Sequence, residues 1–284
     1  MKIKSQKKPN KKRLIVFLGV LIVLAALSLY FEIPVTRHFE LSGEGKIKEQ
    51  VRIAHVSDLH SCYYGPNMKS LVKRIGKEEP DLVLLTGDIF DDKLKDKNAK
   101  LFVEAMVEKY PVYYVTGNHE YWSEHVDETK VYLTSVGVVV LEGGYAKEEI
   151  NGNTVYVCGV DDPTRLLRST WELQLANADP WYSGEEAEVG YKILLSHRPE
   201  EVETYEKYDF DLILCGHAHG GQWRIPFTRL GYFAPNQGMM AKYVDGLFDL
   251  KNGSQMIVSR GLARESTPAP RFFNHPEVII VDIK

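Results

Sequence analysis

The chain has 284 residues, of which 44% are hydrophobic and 26% charged, a balance typical of a folded protein with one large domain. Its formal net charge of −4 is unevenly distributed, because the first thirteen residues hold seven of the 35 basic side chains and no acidic one, leaving 28 basic against 39 acidic residues, or −11, in the remainder. Phosphate backbones are bound mainly by lysine and arginine, so this acidic remainder excludes a general nucleic-acid binder, and we expect no nucleic-acid partner.

The first predicted element is a membrane-spanning helix at residues 14–31. This run carries no charge and is just long enough to cross the hydrocarbon core of a bilayer, which is about 30 Å thick. The basic tail at residues 1–13 precedes it, and the positive-inside rule places such a tail in the cytoplasm. We therefore expect a single-pass protein of the cell membrane, with everything after Glu32 on the extracytoplasmic side. The alternative is a cleaved signal peptide with a site at Ala26-Leu27-Ser28.

Strands and helices are predicted to alternate in the rest of the chain. Residues 32–50 are expected to be a linker or a first strand, and short apolar runs then predict buried strands. These strands are expected at 51–56, 82–86, 112–116, 191–196 and 212–215, and the helices from Asn67 as N-cap to before Pro80, at 98–109, from near Ser123, and at 199–208. Asn151-Gly152 and Asn252-Gly253 predict type I′ hairpin turns. The alternation indicates βαβ units and a largely parallel inner sheet.

The three cysteines do not predict a disulfide framework. Cys158 and Cys215 lie in apolar, strand-like runs, and no Cys-x-x-Cys pair is present in the sequence. We expect buried free thiols that pack as small hydrophobic side chains. A nucleophilic or metal-binding Cys62 is the less favoured alternative.

The informative polar residues all follow directly after predicted strands. They fall in five blocks: Asp58-Leu59-His60, Gly87-Asp88, Gly117-Asn118-His119-Glu120, His197, and Gly216-His217-Ala218-His219. Because ligands bind outside the carboxyl ends of strands in open α/β sheets, the five blocks are expected to meet in one crevice. Each block alone has an ordinary explanation, such as a turn or a helix cap. The interpretation therefore depends on their occurring together.

The side-chain types in these blocks indicate a metal centre. Imidazole with carboxylate and amide oxygen suits zinc, manganese or iron, whereas structural zinc sites use clustered cysteines. The candidate ligands are too many for one ion, which predicts two divalent metal ions. Paired ions bind the attacking and leaving oxygens of a phosphoryl displacement.

In this order, the five blocks resemble the motifs of the calcineurin-like metallophosphoesterase family, from about Val51 to the C-terminus. The resemblance implies an α/β fold for residues 51–284, a four-layer sandwich of two packed mixed β-sheets flanked by helices. It also implies a set of metal ligands in which Asp88 bridges the two ions. One ion would be bound by Asp58, His60, Asp88 and His219, and the other by Asp88, Asn118, His197 and His217. His119 would stabilise the transition state or protonate the leaving oxygen instead of binding metal.

Three further segments are similar to a membrane-anchored bacterial subgroup of that family: Gly216 to Gln222, Ser259 to Leu262, and Pro276-Glu277. The subgroup includes phosphodiesterases and pyrophosphatases of lipid-linked substrates such as UDP-diacylglucosamine, although the predicted orientation does not favour a cytoplasmic nucleotide sugar. We expect a membrane-anchored hydrolase of a phosphodiester or pyrophosphate bond, with a lipid-linked phosphoester as one candidate substrate. The alternatives are a phosphomonoesterase or protein phosphatase, and a membrane-tethered metal-binding scaffold without turnover.

Other residues near the motifs have two open interpretations each. Arg260 is a candidate for binding the substrate phosphate, because guanidinium donors match phosphate oxygens, and an ordinary salt bridge is the alternative. Asp91 and Glu120 would orient histidine ligands or be solvated surface acids. The aromatic stretch from Trp223 to Phe248 would be core, or else a rim that receives an acyl chain or touches the bilayer.

Overall fold

A computed structural model describes residues 11–180, 189–225, 228, 230–267 and 269–284. The basic tail predicted at residues 1–13 thus lies mostly outside the described residues. The helices are α1 (Lys11–Phe31), α2 (Lys69–Gly76), α3 (Lys97–Val107), α4 (Asn118–Trp122), α5 (Val126–Ser135), α6 (Arg168–Ala178) and α7 (Val202–Tyr205). The strands are β1 (Val35–Leu41), β2 (Val51–Val56), β3 (Leu82–Thr86), β4 (Val112–Val115), β5 (Val139–Val140), β6 (Gly144–Ile150), β7 (Asn153–Gly159), β8 (Tyr191–Leu195), β9 (Leu212–Cys215), β10 (Gly231–Ala234), β11 (Gly238–Ala241), β12 (Gly246–Asp249), β13 (Gln255–Val258) and β14 (Glu277–Ile283).

The strands form two mixed six-stranded sheets and a separate hairpin. The first sheet has the order β1-β14-β2-β3-β4-β5, and only the β14–β2 pairing in it is antiparallel. The second has the order β12-β13-β9-β8-β7-β6, with a parallel centre and an antiparallel strand at each edge. Strands β10 and β11 pair antiparallel with each other. The parallel inner strands agree with the alternation of strand and helix in the sequence.

The two sheets pack face to face, and helices cover their outer faces. Alternate residues of β3 show this: Leu82 and Leu84 pack in the core between the sheets, whereas Val83 and Leu85 pack against the layer of α2, α3 and α5. A third apolar cluster joins the second sheet to α6 and α7 and includes Trp171. Because strand side chains alternate between faces, strands covered on both sides are mostly apolar. The four-layer sandwich expected from the resemblance is confirmed.

Helix α1 is long and apolar enough to cross a membrane, by length and composition. Most of its described side chains are exposed, and Phe31, the last residue, is buried against the domain. Residues 32–50, for which a linker or a strand was expected, contain β1. This strand pairs with β14 over its whole length. The folded domain therefore includes residues before 51, where the sequence analysis places its start.

The predicted helices differ from those observed mainly at their ends. Asn67 is not an N-cap: it lies at φ 51° in a short 3-10 turn, and α2 begins two residues later without a side-chain cap. The helix expected from near Ser123 corresponds to α5, which begins three residues later at Val126, whereas the short helix α4 before it was not predicted. The Asn151-Gly152 turn is confirmed, with φ of 52° and 74° between β6 and β7. Asn252-Gly253 instead belongs to a longer loop, because β12 ends at Asp249 and β13 begins at Gln255.

Candidate metal centre

The five polar blocks meet where strands of both sheets end. Asp58 and Asp88 follow β2 and β3, Asn118 begins α4 just after β4, and His197 and His217 follow β8 and β9. Their side chains are all buried. The crevice expected at the carboxyl ends of the strands is therefore formed jointly by the two sheets.

Two groups of possible metal ligands share the Asp88 carboxylate. The ligand atoms of Asp58, His60, Asp88 and His219 lie within 4.8 Å of one another, as do those of Asp88, His197 and His217. Within the second group, His197 Nε2 lies 3.1 Å from Asp88 Oδ2 and 3.2 Å from His217 Nδ1. Within the first, His60 Nε2 lies 3.6 Å from Asp88 Oδ2. The structure thus brings together the aspartates and histidines named as ligands in the sequence analysis.

Several candidate ligand atoms lack a hydrogen-bond partner. Among the described residues, His60 Nε2, Asn118 Oδ1 and His219 Nδ1 are buried without such a partner, and Asp88 Oδ2 has only ion-pair contacts with the His197 and His60 rings. Buried polar atoms are otherwise almost always hydrogen-bonded, because leaving one unpaired costs about 1–3 kcal/mol. Bound cations would pair all of them, and imidazole, carboxylate and amide oxygens suit zinc, manganese or iron. The residues therefore fit divalent metal ions.

The backbone of the site is strained at the same positions. Asp58, His60, Asp88, His217 and His219 all have φ between 46° and 64°, the left-handed region that non-glycine residues rarely adopt. Such residues cost on the order of 1–3 kcal/mol each and cluster at functional sites. Glu120 stabilises this backbone, because its carboxylate accepts the N–H groups of Asp88, Ile89, Phe90 and Gly117. Its role in the structure is thus to support the Asp88 loop, and not to orient a histidine.

Charge in the centre is carried by Asp88 and His197. Burial raises the pKa of Asp88, but the nearby His197 outweighs this and holds the pKa well below its usual 3.8. Burial lowers the pKa of His197, and attraction to Asp88 more than reverses this and raises it to about 10. The Asp88 carboxylate is thus ionised beside a protonated His197. A divalent cation bound there would replace that proton as the positive charge.

The two histidines that follow β9 are neutral. Burial is the main cause that lowers the pKa of His217 to about 3 and the pKa of His219 well below 6.5. Neutral imidazole is the form that binds metal. Both side chains are therefore ready to act as ligands at neutral pH.

His119 lies at the mouth of the site on a pair of aspartates. Its Nδ1 is 2.7 Å from Asp92 Oδ1 and 3.3 Å from Asp91 Oδ1, and its side chain is 19% exposed. Burial lowers the pKa of His119, but the hydrogen bond with Asp91 and the neighbouring carboxylates outweigh this and raise it to about 9. Asp91 also contacts His60 Nδ1 at 2.9 Å, as expected for a residue that orients a histidine.

Three polar residues of the site were missed in the sequence analysis. Asp92 holds His119, as described above. Arg198 donates from Nη1 to Asn236 Oδ1 at 2.8 Å, lies 2.9 Å from His217 Nε2, and pairs with Asp162. Asn236 Oδ1 also lies 3.1 Å from His217 Nε2. The only signal for Arg198 and Asp92 was that each stands beside a motif residue, and Asn236 had none.

Three other expectations concern Arg260, the cysteines and the aromatic stretch. Arg260 donates from Nε to Glu277 at 2.7 Å, which is the salt bridge left open as its alternative, and its substrate-binding role stays a prediction. The cysteines are free and buried, as expected. In the aromatic stretch, Tyr243 and Phe248 pack against the core, whereas Trp223, Tyr232, Phe233, Met239 and Met240 are exposed. Phe227 lies outside the described residues.

Comparison with known sequences identifies relatives over most of the chain. Residues 51–221 match the model of a family described as calcineurin-like phosphoesterase. An uncharacterized metallophosphoesterase of Aquifex aeolicus is 31% identical over 250 residues, which cover 83% of this chain and 85% of that protein. One from Campylobacter jejuni is 27% identical, covering 95% and 68%. A Danio rerio protein named as a transmembrane protein with metallophosphoesterase domain is 26% identical, covering 93% and 62%.

Comparison with solved structures gives more distant similarity. The NAD nucleotidase of Haemophilus influenzae has a TM-score of 0.49 and 18% identity, covering 76% of this chain and 46% of that one. A Thermus thermophilus protein has a TM-score of 0.48 and 15% identity, covering 75% of this chain and 91% of that one.

Proposed function

Because the chain belongs to the calcineurin-like phosphoesterase family, we propose that it is a membrane-anchored hydrolase of phosphodiester or pyrophosphate bonds that uses two divalent metal ions. The observation that carries the proposal is the pair of ligand groups that share Asp88, with unpaired buried atoms in both. Asp58, His60, Asp88 and His219 would bind one ion, and Asp88, Asn118, His197 and His217 the other. When bound, the ions would neutralise phosphoryl charge and lower the pKa of water.

His119 is proposed as the catalytic acid. Its Nδ1 faces Asp92 and Asp91, which leaves Nε2 for the leaving oxygen of the substrate. The carboxylates favour the protonated ring at neutral pH, and a positioned imidazolium of this kind can donate a proton to a departing alkoxide. Asp91 is proposed to position His60 and His119 relative to each other, because its carboxylate contacts both rings.

A lipid-linked phosphoester is the substrate class that we propose. Two observations support it: α1 is long and apolar enough to span a bilayer, and the Danio rerio relative is named as a transmembrane protein. An enzyme tethered by such a helix meets substrates at a membrane surface. The positive-inside rule places the catalytic domain on the extracytoplasmic side of the cell membrane.

The test is hydrolysis of nitrophenyl phosphodiester and monoester substrates by the full chain in nonionic detergent, with manganese, zinc or iron. We expect metal-dependent turnover that favours the diester and falls to background in Asp88→Asn. The matched control is Asp282→Asn, because Asp282 is also a buried aspartate but pairs with Arg52 near the start of β2, at the opposite end of that strand from Asp58. It should keep its activity.

Each alternative gives a different result in the same assay. Preference for the monoester would indicate a phosphomonoesterase or protein phosphatase. Folded chain that binds two ions, yet hydrolyses neither ester with any of the three metals, would contradict the proposal and favour a scaffold without turnover.

A further inference from the structure

The hairpin of β10 and β11 exposes large apolar side chains on both of its faces. Tyr232 and Phe233 are neighbours on β10, so their side chains point to opposite faces, yet they are 46% and 50% exposed. On β11, Met239 and Met240 are 65% and 49% exposed, and Phe233 pairs with Met239 in the register of the hairpin. An isolated two-stranded hairpin is marginally stable in water. Here Ala234 and Ala241 are buried in the third apolar cluster, whereas the four large side chains are left uncovered by the domain.

A chain of ring contacts joins the hairpin to the end of the anchor helix. Phe31, the last residue of α1, packs on Phe272 and Phe273 with ring centroids 6.5 Å and 5.0 Å apart. Phe272 contacts Trp223 at 6.0 Å, and Trp223 contacts Tyr232 at 5.8 Å. We define the apolar rim as the exposed side chains of Trp223, Tyr232, Phe233, Met239, Met240 and Phe273. The rim is therefore continuous with the point where α1 enters the domain.

Polar contacts attach the end of α1 to the segment that precedes β14. The Glu32 carboxylate accepts from the Arg271 backbone N–H at 3.5 Å and lies 3.5 Å from Arg264 Nε. Together with the buried Phe31 ring, these contacts hold the helix end at one place on the domain. If α1 spans a bilayer, the rim beside its end must face the same membrane surface.

The other end of the hairpin reaches the metal centre. Its turn carries Asn236, whose Oδ1 contacts His217 and Arg198. Phe233 and Met239 of the rim form a cross-strand pair close to this turn. The same short hairpin therefore carries part of the apolar rim and a contact to a proposed metal ligand.

We propose that the apolar rim lies in the interfacial layer of the bilayer that holds α1, so that the hairpin keeps the mouth of the metal centre against the lipid headgroups. The inference rests on the proposed membrane anchoring. Aromatic and methionine side chains of this kind are favoured at the membrane interface, where tryptophan and tyrosine are enriched. We infer the bilayer, and not another protein, as the partner of the rim. The rim is continuous with the end of α1, and lipid would surround that end.

The experiment places a single fluorescent label at four positions of the full chain in liposomes made with lipids brominated on the acyl chains. Met239→Cys tests the rim. Val131→Cys is the matched control, because Val131 is an equally exposed apolar residue on α5, at 70% exposure, outside the rim. Leu24→Cys reports on the anchor itself, and Lys73→Cys on a polar surface. The native cysteines are buried, so wild type is the labelling blank.

We expect bromine quenching at Met239 to be several-fold stronger than at Val131 and Lys73, and to approach that at Leu24. Strong quenching at Leu24 with equal, weak quenching at Met239 and Val131 would overturn the inference while leaving the anchor intact. A rim covered by a second copy of the chain gives that same result, because protein carries no bromine. Weak quenching at all four positions, including Leu24, would show that α1 does not lie in the bilayer. The proposed anchoring and this inference would then both be wrong.

Discussion

His55 makes the stability of the first sheet depend on pH. It is fully buried in β2, with Nε2 2.7 Å from Thr86 Oγ1 and Nδ1 unpaired, and burial lowers its pKa from 6.5 to about 3. The unfolded chain therefore binds a proton below pH 6.5 that the folded chain does not. The stabilisation from the neutral ring is complete above pH 6.5 and is lost as the pH falls toward the folded pKa.

The prediction is that His55→Gln flattens the acid side of the stability curve. Between pH 6 and pH 4, wild type should lose about 1.4 kcal/mol more per pH unit than the variant, which is the linkage slope of one proton. The measurement is urea unfolding of the full chain in nonionic detergent with EDTA, so that metal binding does not contribute. The difference between the two free energies of unfolding at pH 7.5 gives the packing cost of the substitution. If the free energy of unfolding falls equally steeply with pH in both proteins, His55 does not have this role.

Asn236 is predicted to position His217. A ring that offers Nδ1 to a metal carries its proton on Nε2. Two groups lie beside that nitrogen: Arg198 Nη1, at 2.9 Å, can only donate, so Asn236 Oδ1, at 3.1 Å, is the one that can accept the proton. Removing partners of this kind typically costs about 10–100-fold in metal affinity or activity. We expect a loss of this size in Asn236→Gly, measured by equilibrium dialysis of manganese.

The control for that change is Asn151→Gly. Both asparagines lie in hairpin turns at left-handed φ, 61° and 52°, so glycine is tolerated by the backbone at each. Asn151 lies far from the centre, at the turn between β6 and β7. A loss of affinity in both variants would indicate general destabilisation instead of a positioning role.

The polar blocks could be found in the sequence because each follows an apolar run that predicts a buried strand. Their occurrence together predicted a metal centre, and the resemblance then implied which residues bind which ion. Asn236 could not be found in this way, because its contact with His217 joins two segments of different structural type. Polar contacts between distant segments follow from the packed fold and not from a local pattern.

At the scale of elements, the loops after the strands depend on glycines that leave room for Asp88. A Cβ added to Gly117 would lie 2.2 Å from Asp88 Oδ1 and 2.5 Å from Asp88 N, although its φ of −110° suits any residue. Gly117→Ala must therefore displace the proposed bridging carboxylate. A displacement of about 1 Å can reduce catalysis by roughly 100-fold, and we expect a loss of that order in diester hydrolysis.

Gly144→Ala provides the comparison for Gly117→Ala. Gly144 begins β6, has no neighbouring atom within 4 Å of the point that an alanine Cβ would occupy, and does not have a left-handed φ. Its substitution should leave activity and metal content unchanged. Full activity in Gly117→Ala would show that the Asp88 loop adapts to the added methyl group. Residue 117 would then not need to be glycine to leave room for the Asp88 carboxylate.

Element boundaries were harder to predict than the elements themselves. Apolar runs such as 82–86 predicted strands well, because strands covered on both faces are mostly apolar and stand out from the polar segments around them. Asn67 misled, since the chain makes a 3-10 turn with left-handed residues before α2. Asn252-Gly253 misled for a similar reason: a turn pair does not indicate how many further residues the loop includes.

At the scale of the whole molecule, the order of strands was not available from local pattern. The last strand, β14, lies between β1 and β2, and this pairing joins residues more than two hundred positions apart. The four-layer arrangement came from the resemblance, because five motifs in a fixed order specify which strand ends must meet. Composition and periodicity alone predicted only an α/β domain with parallel inner strands.

The last prediction concerns the side of the membrane on which the domain lies. Seven basic residues lie at positions 1–13, before and at the start of α1, and the positive-inside rule predicts that this end stays in the cytoplasm and the domain lies outside. In intact cells, a membrane-impermeant maleimide should label Lys73→Cys, because Lys73 is exposed on α2. Ser5→Cys, in the basic tail, should react only after permeabilisation, and wild type should stay unlabelled because its cysteines are buried. The reverse pattern would place the metal centre in the cytoplasm, where nucleotide-linked lipids would then be the substrates to test first.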